Sequence, residues 1–124
     1  MNIQNINRKI ILQAVDYCEK IFKKTSSPSV RLARTKLKDD PTCKGIYDED
    51  NNLIVIYKPA HRSALDILDT LIHEYTHSTQ CMTKYAKMFS KYGYDHHPYE
   101  REAIKMGKRH AKKCRQYITK LNKK

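Results

Sequence analysis

Residues Leu71-Ile72-His73-Glu74-Tyr75-Thr76-His77 spell H-E-x-x-H inside what reads as a buried helix. Positions four apart on a helix share one face, one turn above the other. His73 and His77 can therefore present two imidazole nitrogens to one ion, with Glu74 between them. A tetrahedral zinc site of the catalytic kind takes three protein ligands and keeps a fourth position for water. Glu74 is then placed to take a proton from that water, which points to metal-assisted hydrolysis. Five residues with three fixed letters also arise in ordinary helices, so the motif decides little without a third ligand and a scaffold.

Just upstream, Pro59 closes a strand, and Ser63 with Asp66 makes a capping-box-like start to the motif helix. Ala64, Leu68, Leu71, Ile72, Tyr75 and Thr79 form its expected buried side, with Asp66, Thr70, His73 and His77 on an adjacent polar stripe. Residues 53–57 and 45–47 read as two strands joined through an acidic turn, and residues 29–37 contain a third short strand. The acidic turn is not a calcium loop, because Leu53 and Pro59 stand where an EF-hand needs Gly and Glu. Residues 5–24 carry a wide apolar stripe (Ile6, Ile10, Ile11, Ala14, Val15, Cys18, Ile21, Phe22) and predict a first helix that serves the core.

Downstream, residues 81–94 are helical until Gly93, and Pro98 is suited to open a last helix running to about Leu121. That helix offers the third ligand. The candidates are Glu100 and Glu102, with His96, His97 and His110 behind them. At about 100° per residue from Ala103, the apolar face holds Met106, Gly107, His110, Cys114, Tyr117, Ile118 and Leu121. Glu100 falls at about +60°, inside that face, and Glu102 at about −100°, beside Arg109 and Lys113. Both can favour the helix N-terminus through its dipole, but that leaves Glu100 a charge against apolar neighbours, which a metal would compensate.

With 124 residues, 40% hydrophobic and 31% charged, the chain is expected to be one globular domain rather than disordered. No apolar run can span a bilayer, and Ile10-Ile11-Leu12 is too short for a signal-peptide core, so a soluble, cytoplasmic protein is expected. Four cysteines without a C-x-x-C pair are expected to be free thiols, mostly buried. A net charge of +12 favours acidic partners such as nucleic acid, anionic lipid or an acidic protein. The last twenty residues hold nine Lys or Arg and no acid, with Lys105, Lys108, Lys112 and Arg115 as an outer stripe.

Helix, short sheet, H-E-x-x-H helix and a helix bearing E-x-x-A together resemble the minimal zincin metallopeptidases. Thr70 to His77 followed by Gln80 is similar to their active-site helix, and Pro98-Tyr99-Glu100-Arg101-Glu102-Ala103 is similar to the P-x-E-x-E-A stretch of several small bacterial and phage zincins. The resemblance covers roughly residues 44 to 110. It implies an α+β domain with a three-stranded, mainly antiparallel sheet, zinc on His73, His77 and Glu100, and Glu74 as base. It also implies that residues 53–58 form an edge strand aligning an extended protein or peptide substrate. Many gluzincins carry Asp four residues after the third ligand; Ile104 stands there, so the zinc histidines must be oriented from elsewhere. SprT-like proteases use a third histidine, a part open to His96 or His97. Tyr92, Tyr94, His96 and His97 are unranked candidates for an oxyanion donor. A deformylase-like site would need a cysteine ligand, and Cys43 has no supporting glycine-rich context. The competing expectation is a zincin-like binding module whose basic last helix grips nucleic acid or an acidic protein.

Overall fold

The computed structural model describes residues 1–123. Helix α1 (Arg8–Ile21) is followed by strands β1 (Ser29–Ala33), β2 (Gly45–Asp48) and β3 (Leu53–Tyr57), then by helices α2 (Ala64–Ser78), α3 (Met82–Tyr92) and α4 (Pro98–Asn122). This is a small α+β domain, as the patterning predicts.

The sheet is mixed rather than mainly antiparallel, in the order β1-β3-β2. β3 runs parallel to β1, pairing Ser29 with Leu53 through Ala33 with Tyr57, and antiparallel to β2. The expected edge strand at residues 53–58 is therefore the central strand. Its unbroken run Leu53-Ile54-Val55-Ile56-Tyr57 fits that place, since a strand covered on both faces has no polar side to alternate with. The two edges of the sheet are β1 and β2. Asn52, at φ 47°, closes the β2–β3 turn, and its side chain accepts from Tyr47 Oη and Ser26 Oγ, both at 2.9 Å.

α2 is the axis of the core. Ile67, Leu68, Leu71, Ile72 and Tyr75 are fully buried against Ile54 and Ile56 of the sheet, Ile11, Ala14 and Cys18 of α1, and Ala111, Cys114 and Ile118 of α4. Ser63 caps α2 by accepting from the Asp66 amide at 3.1 Å. The helix ends at Ser78, so Thr79, expected on its buried side, is exposed. Leu121 is likewise 45% exposed, because it lies in the last turn of α4 beyond the covered stretch. α4 packs closely on α2 at Gly107, where a Cβ would collide with the Asp69 carboxylate. All four cysteines are free, but only Cys18 and Cys114 are buried. Among the described residues, no helix is long and apolar enough to cross a membrane.

Candidate metal centre

On α2, Tyr75 and Thr76 turn inward, Tyr75 stacking on Phe22 with centroids 5.2 Å apart. That rotation sends His73 and His77 to the opposite side, toward the first turn of α4. The α4 helix begins at Pro98, before Glu100, so helical geometry governs Glu100 and brings it inward, 4% exposed.

His73 Nε2 and His77 Nε2 lie 3.2 Å apart, and each lies 3.1 Å from Glu100 Oε1. A tetrahedral ion with bonds of about 2.0–2.1 Å needs ligand atoms about 3.3 Å from one another. The observed triangle has that size. Two imidazole nitrogens and a carboxylate oxygen converging this closely form an electron-rich pocket that a cation suits, and this group can hold a metal ion.

The tautomer of His77 is set by its neighbours. Its Nδ1 lies 2.7 Å from Gln80 Oε1. The Gln80 Nε2 donates to the Tyr99 carbonyl and to Glu102 Oε1, both at 3.0 Å, so the amide oxygen must face His77. Oxygen only accepts; Nδ1 therefore carries the hydrogen, and in the neutral ring Nε2 keeps its lone pair for a metal. Gln80, held in turn by Glu102 and the Tyr99 carbonyl, thus orients His77. Glu102 lies outside the ligand triangle and acts on it through Gln80.

Tyr85 of α3 donates its hydroxyl to Glu100 Oε2, leaving Oε1 for the ligand triangle. Burial raises the Glu100 carboxyl, but hydrogen bonds from His73, His77 and Tyr85 outweigh it and hold the group well below the usual carboxylate range. His77 moves the other way: burial lowers it, while Glu100 and Glu74 more than compensate and raise it. Burial also raises the Tyr85 phenol, reinforced by Glu100.

Glu74 stands beside the triangle, its Oε2 3.9 Å from His73 Nε2, with 12% of its side chain exposed. Burial lifts its carboxyl to about 7, against the pull of His73 and His77 and with the help of Glu100. Gly45, the first residue of β2, approaches it closely. A Cβ there would meet Thr70 Cγ2 at 2.7 Å and Glu74 Cγ at 3.4 Å. His73, Glu74, Gly45 and Tyr94 line both lobes of a groove past the site. One lobe, about 280 Å³, is bordered by Lys44, Asp66, Asp69 and Lys108; the other, about 310 Å³, by Ile46, Tyr47, Met82 and Tyr85.

The remaining sequence candidates separate clearly. His97 is fully buried with both ring nitrogens engaged, by the Tyr85 carbonyl at 2.8 Å and the Tyr99 amide at 3.1 Å. It caps α4 and has no nitrogen left for a metal. His96 and Tyr92 are exposed, and His110 bonds Tyr17 between α1 and α4. Tyr94, exposed like Tyr92, is the one oxyanion candidate that lines the groove; loss of some solvation raises its phenol, as do the nearby carboxylates of Glu100 and Glu74. Tyr85 was not legible beforehand: three positions into α3, it has no spacing relation to the motif. Comparison of the chain with protein-family profiles, curated proteins and solved structures finds no match to any of them.

Proposed function

We propose that the chain is a zinc-dependent metallopeptidase, with His73, His77 and Glu100 as ligands and Glu74 as the catalytic base. The observation that carries the reading is the ligand-sized triangle of two Nε2 atoms and one Oε1 with a buried carboxylate beside it. A zinc ion held there supplies Lewis acidity toward the scissile carbonyl and acidifies water at neutral pH.

The chain's own groups do the rest. Glu74 accepts the proton of the attacking water and returns it to the leaving amine; its place beside the triangle, largely shielded from solvent, suits both transfers. Tyr94, across the groove, offers a phenolic hydrogen to the developing oxyanion. An extended peptide pairs with the free edge of β2, whose backbone Gly45 holds against α2. The groove then sorts side chains, a charged lobe on one side and an apolar, aromatic lobe on the other.

Purified protein should carry about one zinc per chain, the stoichiometry of a single catalytic site. It should cleave a mixed peptide library, with cleavage abolished by a chelator and in Glu74→Gln. Metal absent from wild type and unchanged in His77→Ala would remove the enzymatic reading and leave a binding module.

A further inference from the structure

The long exposed face of α4 does no work in the metal centre. Its inner side is built from Ala103, Gly107, Ala111, Cys114 and Ile118, all buried. Turning about 180° from that side brings Arg101, Lys105, Arg109 and Lys112 into an arc of roughly 80°. All four are exposed, and among the described residues none lies within ion-pair distance of a carboxylate. The structure thereby redraws the basic stripe expected from the sequence. Lys108 is tied to Asp69 at 2.7 Å, Arg115 is half-buried, and Arg101 and Arg109 join the free cations instead. Glu102, the acid of this stretch, lies about 20° beyond the edge of the arc and accepts from Gln80 rather than pairing with any of the four.

We propose that this face docks on the backbone of duplex DNA, independently of the peptidase reading. From Arg101 to Lys112 is eleven steps along the helix, or about 17 Å, at a rise of about 1.5 Å per residue. A duplex presents a charge about every 1.7 Å along its axis, so that rod of cations finds phosphates all along its length. Residues 101–116 contain no Phe, Tyr or Trp, so the face has no platform for stacking unpaired bases and favours a duplex over a single strand. The four side chains are Lys and Arg, with Gln116 and Thr119 as the uncharged polar neighbours on the arc, a set that grips phosphates and reads little sequence.

The test is fluorescence anisotropy with a 20-base-pair duplex of arbitrary sequence, across a salt series. Four neutralised phosphates give a slope of log affinity against log salt of about −3.6, or roughly 150-fold weaker binding at 200 mM than at 50 mM salt. In the doubly substituted Lys105→Gln, Lys112→Gln protein the slope should fall to about −1.8. Both positions are exposed, so the variant should fold, which circular dichroism checks. Glu100→Ala should bind DNA as wild type does, which separates this surface from the metal centre. Negligible binding at low salt, a flat salt response, an unchanged slope in the double variant, or preference for an acidic polypeptide or anionic vesicles over the duplex would each overturn the proposal.

Discussion

Replacing Gln80 with Ala strips His77 of the acceptor that fixes its tautomer while leaving every proposed ligand in place. His77 itself is 5% exposed, so its Nδ1 hydrogen would lose its protein acceptor and be left to a less ordered water in the space Gln80 vacates. The ring can then protonate Nε2 instead, and each molecule that does so cannot bind the ion. Loss of such an outer partner lowers metal affinity by about 10- to 100-fold, or about 1.4–2.7 kcal/mol. The upper half of that range is expected here because the amide is doubly anchored, at Tyr99 and Glu102, and holds His77 with little freedom. Gln80→Glu should also lose at least about 10-fold, although it keeps an acceptor for His77, since its second oxygen would face the Tyr99 carbonyl and the Glu102 carboxylate. Glu102→Ala removes only one of the two anchors and should stay within about fivefold of wild type, below the range for a direct partner. Glu100→Ala, which deletes a ligand, should lose roughly 10²–10³-fold, about a quarter of the binding free energy of a four-ligand site. Competition against a chromophoric chelator at pH 7.4 measures all four variants. Gln80→Ala within twofold of wild type, or Glu102→Ala falling as far as Glu100→Ala, would refute the assigned relay.

Glu74→Gln should keep the metal and lose about 10²–10⁴ in turnover, the span of a general base; loss of the metal would show that Glu74 is a ligand. Tyr94→Phe should lower turnover about 10²-fold with metal affinity unchanged, and unchanged turnover would remove it as an oxyanion donor. In chelator-treated protein, Glu74 titrates near 7 when folded against an ordinary value of 4.5, so the folded state holds the extra proton between those values. Stability should therefore fall as pH rises through that window, by roughly 2–4 kcal/mol from this group, and raised His77 acts in the same sense. Glu100, depressed, weakens the fold only as pH falls below the ordinary carboxylate range. Thermal melts of Glu74→Gln should show a flatter profile from pH 4.5 to 7.5; a profile as steep as wild type would contradict the burial of Glu74.

Spacing alone placed the two halves of the candidate site. The i, i+4 histidines required one helix face, and the wheel of α4 separated Glu100 from Glu102 because Pro98 starts that helix early enough for the wheel to apply. The strand order was less accessible. The unbroken apolar run of β3 signals cover on both faces, yet only the pairing with β1 and β2 shows that it is central. Thr79 and Leu121 continue an apolar periodicity past the point where neighbours cover it, and no local pattern marks that point. Gln80, Tyr85 and the Lys108–Asp69 pair act through contacts between separate elements, which sequence spacing does not encode.

Helix α3 buries none of its residues completely, and its firmest polar attachment is Tyr85, bonded through its hydroxyl to Glu100 and through its carbonyl to His97. One of these two partners is a member of the ligand triangle. Ordering of α3 and occupation of the triangle are thus thermodynamically linked, and linkage is reciprocal. Whatever fixes Glu100 Oε1 also fixes Oε2, and with it the tyrosine that pins the helix. Amide hydrogens of residues 82–92 should accordingly exchange more slowly once metal is added, while those of α2, buried in either state, barely change. A peptide or partner that displaces α3 would loosen any ion held in the triangle by the same factor, so this short helix would couple events at the groove to occupation of the triangle.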